Sequence, residues 1–389
     1  MRALCGADSG ERLVLLWNVV ICAHSSVADP LASALRYFAD DRPAGVDSDR
    51  PEPSLLLAPP VHLGRPIRTG VINNPLSFKN RRGNTLQDAL DVMAAHARVP
   101  HHEVDRPEDI GAATRALLDA GSELLVVNGG DGTVQAVLTE LFGGLPRQAH
   151  PLIAVLPSGT TNMVAADIGA MTHPVRGLQR LLAAADEGRL VGTVIRRPVM
   201  RVQIAPHAAP IFSMFFGSGA IYHGITFCRQ YIATLGLRGE LGPGIALAVF
   251  IGKIALGHGE RLFPPLHLSG HLDGVPLQTG AYRGVLVSTV SRQFLGLRPF
   301  WGTEPAPLKY SALSYSLRHM VRAVPAVMRG KPNRYVRPEY GYTSHNAHEV
   351  ELHLDCGFTL DGELFVPSPG APVRLRSGYS AAFLRQSEG

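Results

Sequence analysis

Three short stretches carry side chains that could do chemistry: Gly-Gly-Asp-Gly-Thr at 129–133, Pro-Ser-Gly-Thr-Thr-Asn at 157–162 and Leu-Asp-Gly-Glu at 360–363. In the first, Gly129, Gly130 and Gly132 strip side chains from a turn between an apolar run and a helical pattern. A phosphate can then approach the backbone and the positive end of the helix dipole. Asp131 is the odd member, because a carboxylate repels phosphates unless a cation or a hydroxyl proton lies between. It implies Mg²⁺, held directly or through water. The plainer alternative is a turn in which Asp131 and Thr133 cap the helix. The second stretch supplies Ser158, Thr160, Thr161 and Asn162 as donors around flexible Gly159, or simply an N-cap at Thr160 or Thr161. In the third, Asp361 and Glu363 stand two apart, on one side of an extended chain, as a base and a metal-orienting carboxylate should. Asp-Gly is also the commonest tight hairpin turn, so that stretch reads equally as a structural element.

The elements around these stretches predict how they are placed. Residues 68–74 read as a strand running into a turn, 84–99 as a helix, 101–105 as a short strand, 107–121 as a helix and 123–128 as a buried strand. After the glycine-rich loop, Val134, Val137, Leu138 and Leu141 recur at helical spacing, then 151–157 reads as strand and 161–169 as a short helix. Strands alternating with helices predict an α/β domain with a parallel sheet, and ligands bind such sheets beyond the carboxyl ends of the strands. Past residue 194, runs at 193–206, 207–220, 282–290, 348–366 and 371–385 are strand-like and broken by Gly and Pro, with helical insertions expected near 240–256 and 311–329.

With 389 residues, 46% hydrophobic and 18% charged, the chain has material for two globular domains. The expected division is an N-terminal extension over 1–64, an α/β nucleotide-binding domain over 65–193 and a β-rich substrate domain over 194–389 that carries Asp-Gly-Glu. Its formal charge of +5 suits an anionic partner without choosing one. Cys5, Cys22, Cys228 and Cys356 share no metal-ligand spacing and read as the reduced thiols of a cytoplasmic protein. The apolar run at 13–23 is shorter than the roughly 20 residues of a membrane span. The alternative is the apolar core of a signal peptide with a cleavage site at 25–29, but Asp8 and Glu11 spoil the basic region that should precede it; residues 38–62 read as a linker or disordered extension.

The three stretches, in this order and spacing, resemble the catalytic domain of the diacylglycerol kinase and sphingosine kinase family, especially its bacterial lipid kinases. The segment 72–83, Ile-Asn-Asn-Pro-Leu-Ser-Phe-Lys-Asn-Arg-Arg-Gly, resembles that family's opening Asn-Pro-x-Ser-Gly loop. The resemblance implies a Rossmann-like α/β domain of the NAD kinase and diacylglycerol kinase type, a mostly β, sandwich-like second domain, and ATP with Mg²⁺ in the cleft between them. It further implies transfer of the γ-phosphoryl group to the hydroxyl of diacylglycerol or a related glycerolipid or long-chain base. By position, Gly129, Gly130, Asp131, Gly132 and Thr133 would meet the ATP phosphates, with Asn74, Ser77, Ser158, Gly159, Thr160 and Asn162 lining the same site. Asp361 takes the place of the general base, with Glu363 and Asp131 as the metal-side carboxylates.

Departures from the family pattern stand at Phe78, at Gln135 and Ala136 after the first glycine-rich motif, and at Met163 after the second. Two rival functions follow: a soluble-metabolite kinase like NAD kinase, and a non-catalytic nucleotide- or lipid-binding protein. Lys79, Arg81 and Arg82 are further phosphate contacts or a solvated basic turn. Residues 311–338 combine an apolar stripe with Arg318, Arg322, Arg329, Lys331, Arg334 and Arg337, which suits peripheral contact with the inner face of a membrane or an ordinary packed helix. Residues 242–259 suit a buried helix or the wall of an acyl-chain groove. No nucleic-acid motif is present, and a homodimer is left open.

Overall fold

The computed structural model describes residues 61–62, 64–96, 99–146, 150–227, 229 and 264–386. The expectations for 1–60 and for helices at 240–256 and 242–259 lie outside the described residues. Strand β1 (Val61–His62), within the stretch assigned to the extension, pairs with β6 (Arg189–Leu190).

The first half of the chain alternates strand and helix. In order come β2 (Thr69–Asn73), α1 (Thr85–Ala94), β3 (His101–Glu103), α2 (Ile110–Asp119), β4 (Leu124–Gly129), α3 (Asp131–Gly144), β5 (Leu152–Pro157), α4 (Met163–Ile168) and α5 (Pro174–Asp186). Strands β3, β2, β4 and β5 are parallel neighbours in that order. Every residue of β2, β4 and β5 is buried, as continuous apolar runs must be when helices cover both faces. One face packs Ile72, Leu125, Val127 and Val155 against Leu117 of α2 and Val134, Val137, Leu138 and Leu141 of α3. The opposite face packs Val71, Leu124, Val126 and Ala154 against Met93 of α1 and Leu178, Leu181 and Leu182 of α5. Truncating a fully buried Leu such as Leu117 to Ala costs about 2–5 kcal/mol. Helix α5, opened by Pro174 in its first turn, is absent from the reading of the sequence.

The second half is mostly β: β7 (Thr193–Gln203), β8 (Ile211–Ser213), β9 (Phe215–Gly219), helix α6 (Ala220–Phe227), β10 (Leu266–Leu272), β11 (Val275–Pro276), β12 (Gly280–Ser288), β13 (Leu308–Ser314), α7 (Met320–Met328), β14 (Tyr342–Ala347), β15 (Glu349–Leu354), β16 (Phe358–Leu360), β17 (Glu363–Phe365) and β18 (Val373–Arg385). Its core gathers Val202, Phe216, Leu268, Val285, Tyr310, Leu352, Phe358 and Leu375. The helix expected over 311–329 is corrected: Leu308–Ser314 is a strand between β12 and β14, and the helix is confined to Met320–Met328. Ladder hydrogen bonds on both sides of β13 outweigh the chance helical spacing of Leu313 and Leu317. The two halves share one sheet of sixteen strands, because β18 pairs antiparallel with β15 and β7 and then parallel with β5 at Phe383 and Ile153.

Candidate active site

Strands β2, β4 and β5 end level with one another, Asn73 opposite Asn128 and Gly129 opposite Pro157. The loops leaving their carboxyl ends are therefore adjacent, and they are the loops with the chemistry-bearing residues. Beneath them runs a buried polar ladder: Asn128 Nδ2 donates to Asn73 Oδ1 at 3.0 Å, and Ser158 Oγ donates to Asn128 Oδ1 at 2.5 Å. Asn73 and Asn128 are nearly inaccessible and escaped the sequence reading, although an amide closing an apolar run is a visible signal.

The first two glycine-rich loops touch backbone to backbone. A Cβ on Gly159 would lie 2.5 Å from the Cα of Gly130, and a Cβ on Gly129 would lie 2.6 Å from the Thr133 side chain. Gly132 faces Glu363, whose Oε1 would lie 3.0 Å from any Cβ placed there. Each of these glycines thus admits a named neighbour. Helix α3 begins at Asp131 with Gly130 as N-cap and no side-chain cap, so capping by Asp131 or Thr133 is not what the loop does. Thr133 Oγ1 instead accepts from Asn74 Nδ2 at 3.0 Å, tying in the first loop.

Asp131 turns away from its own helix. Its Oδ1 accepts from the backbone N of Val164 at 2.9 Å, and its Oδ2 accepts from the Thr161 hydroxyl at 2.8 Å and the N of Met163 at 3.0 Å. It caps α4 from the neighbouring loop, in the role the sequence offers to Thr160 or Thr161. Burial pushes its pKa up, against the lowering effect of those three donors. Asn162, at φ 48°, closes on itself: Gly159 N donates to its Oδ1 and its Nδ2 donates to Gly159 O. Ser77 is buried and lends its backbone N to Asn74 O. Thr160 is partly exposed at the loop tip. Lys79 lies across the loops, its backbone N bonded to Ser158 O and its Nζ to Thr172 O, and Arg82 stacks 4.1 Å from the Phe78 ring.

The hairpin β16–β17 brings its carboxylates to the same place. Asp361 and Gly362 form its two-residue turn, both at positive φ (46° and 94°), the geometry that makes Asp-Gly the favoured pair. The two acids therefore owe their placement to this turn rather than to an extended alternation. Asp361 is 4% exposed. Its Oδ2 accepts from the Ser213 hydroxyl at 2.6 Å and from Met214 N at 3.0 Å, two partners the sequence reading missed. Its Oδ1 is buried and has no partner among the described residues. Desolvation, then the nearby charge of Asp131, push its carboxyl up to about 7 in spite of the two donors. Glu363 is half exposed, and Arg229 reaches both its Oε2 at 3.3 Å and the carbonyl of Gly362 at 2.7 Å.

Mg²⁺, which the resemblance implies, meets a mixed donor set. Both oxygens of Asp131 are committed, so direct ligation would break a cap, and Met163 offers no carboxylate where the family pattern has one. Among the described residues no group of three or more His, Cys, Asp or Glu side chains could hold a metal ion. Glu363 is the carboxylate with spare capacity, and one carboxylate with nucleotide phosphates and water suits Mg²⁺.

Residues 68–192 match the family model of the diacylglycerol kinase catalytic domain. Through this segment the chain carries a domain of the diacylglycerol kinase catalytic type, the kind of domain that kinases use. The match spans all three strand-end loops and stops short of the Asp361 hairpin. Among solved structures, a diacylglycerol kinase from Bacillus anthracis str. Sterne is 14% identical over 82% of this chain and 96% of its own, with a TM-score of 0.52. Two further structures from that strain, described as candidate diacylglycerol kinases, are 15% and 14% identical, cover 82% of this chain and 95% and 97% of their own, and give TM-scores of 0.56 and 0.55. At such identities the likeness establishes a shared fold. No curated protein matches this sequence.

Proposed function

We propose that the protein transfers the γ-phosphoryl group of ATP to the hydroxyl of a membrane lipid of the diacylglycerol or long-chain-base class, with Asp361 as general base. The observation that carries this reading is the bare, buried Oδ1 of Asp361, beside the loops at the strand ends and on a carboxyl raised to about 7. A base is most useful when its pKa lies near the working pH, and a free lone pair is what a hydroxyl proton requires. The acceptor oxygen forms its bond to the γ-phosphorus as the bond from that phosphorus to the β,γ-bridging oxygen breaks. ADP leaves with that electron pair, and the acceptor proton passes to Asp361 Oδ1. Asn74, Thr133 and the glycine-rich backbones would hold the triphosphate, and Mg²⁺ carried by the nucleotide would neutralise charge beside Glu363.

The test is transfer of labelled γ-phosphate from ATP to a total lipid extract in mixed micelles containing Mg²⁺, for the wild type and Asp361→Asn. A labelled lipid that vanishes in the variant supports the proposal and names the acceptor. Labelling of NAD in the absence of lipid would instead favour the soluble-metabolite kinase. ATP binding with no labelled product of either kind would favour the non-catalytic module.

A further inference from the structure

Helix α7 and the turn after it form a surface whose charge is unbalanced. Ala323, Ala326 and Val327 pack inward with Val336 and Tyr342, so much of the stripe noted in the sequence is core. What remains outside is basic. Arg318, Arg322, Arg329, Lys331 and Arg334 are exposed, and none is paired with a carboxylate among the described residues. Two of them converge: Arg322 Nη1 and Arg334 Nη2 donate to the one phenolic oxygen of Tyr335 at 3.2 and 2.8 Å, and both guanidinium groups lie about the Tyr335 ring, at 5.3 and 4.9 Å from its centre. A neutral phenol is a poor counter-charge for two cations, so they are held together with most of their donors unspent. Beside them Val321 stands 80% exposed, the most exposed large hydrophobic side chain among the described residues. Pro325 lies within the helix and Asn333 Nδ2 holds the Arg322 carbonyl, which fixes the turn that brings Arg334 beside Arg322.

We infer that this face docks on an anionic lipid bilayer, with Arg318, Arg322 and Arg334 against phosphate headgroups and Val321 entering the interface. The inference deepens the lipid-kinase reading, since such an enzyme must take its acceptor from a membrane. Charge complementarity selects the occupant: an anionic surface answers all five cations, and an apolar tip beside them suits a bilayer better than a nucleic acid. No helix among the described residues is long and apolar enough to cross a membrane.

Sedimentation of the full chain with vesicles tests it. The wild type is expected to bind vesicles of phosphatidylglycerol mixed with phosphatidylcholine, to bind pure phosphatidylcholine far less, and to be released by salt. Each basic residue at an anionic surface contributes about a fivefold factor, so the triple variant Arg318→Glu, Arg322→Glu, Arg334→Glu should bind at least tenfold more weakly, and Val321→Ser a few-fold. If the triple variant unfolds, Arg318→Glu with Lys331→Glu, whose side chains make no described contact, gives the same reading. Unchanged binding in the variants, equal binding to neutral vesicles, or retention of duplex DNA in place of vesicles would overturn the inference. Phosphoryl transfer to a short-chain, water-soluble diacylglycerol is measured alongside and should survive the substitutions. Its absence in wild type as well would sink the lipid-kinase reading while the vesicle result still decides the docking face.

Discussion

Two buried aspartates stand near one another and are used in opposite ways. Asp131 spends both oxygens on three donors from the neighbouring loop, whereas Asp361 spends one oxygen on two donors and keeps the other bare. A carboxylate whose lone pairs are spoken for is a fastener; one with a dry, unpaired oxygen stores free energy that a proton or a substrate hydroxyl can release. Both carboxyls are raised by desolvation, and Asp361 ionises in addition against the charge of Asp131. The difference between them is therefore one of coordination: it suits Asp131 to holding loop geometry and Asp361 to the proton transfer proposed for it.

The sharpest way to break that contrast is to exchange each carboxylate in turn. Asp361→Asn should lower turnover by roughly 10²–10⁴-fold, the usual contribution of a general base, with the Kd for ATP measured by calorimetry little changed. Equal losses in both would return Asp361 to a structural role. Asp131→Ala removes the cap of α4 and strands the N–H groups of Met163 and Val164, so it should cost about 2–4 kcal/mol in urea unfolding and weaken ATP binding together with it. Stability gives opposite signs for the two residues. The folded state holds a proton on Asp361 up to about pH 7, while the unfolded chain releases it near the ordinary 3.8. That contribution is complete below 3.8 and is lost as pH rises to 7, so Asp361→Asn should be the more stable protein at pH 8.

Much of this arrangement was legible in the sequence, for reasons that differ from residue to residue. The parallel sheet could be read because the runs at 124–128 and 152–156 are apolar at every position, a pattern that burial on both faces imposes. The three motifs could be read because glycine and turn chemistry are local properties, as the Asp361–Gly362 turn illustrates. The partner of each carboxylate could not: Ser213 lies 148 positions from Asp361, and Val164 lies 33 from Asp131. The stretch around Leu313 misled because a strand held by ladders on both sides has no need of alternation. Helix α5 went unread although its Leu-Leu-Ala-Ala-Ala run is a strong helix former.

A smaller intervention separates the loops rather than the acids. Gly159→Ala would drive a methyl group to within 2.5 Å of the Gly130 backbone, which has no side chain to swing aside. The loops must part, and a loss of about 1–3 kcal/mol in stability with a several-fold rise in the KM for ATP is expected. If instead the KM stays fixed while stability falls, the two loops do not hold the nucleotide jointly. Gly362, by contrast, has open space around it, and Ala there should cost only the backbone strain of φ 94°, with KM unmoved.

The finest adjustment concerns the hydroxyl bonded to the other carboxylate oxygen of Asp361, Oδ2. The Ser213 hydroxyl lowers the Asp361 carboxyl from where burial and Asp131 would otherwise set it. Ser213→Ala should therefore raise it further, moving the acid limb of kcat/KM from near 7 to higher pH by up to about one unit, with the plateau rate at high pH largely kept. A substitution that merely loosened the hairpin would lower the plateau and leave the limb in place. Because Ser213 touches only Oδ2 and backbone, the direction of the limb distinguishes a base whose proton affinity is tuned from a carboxyl that simply pins β16 and β17 to β9.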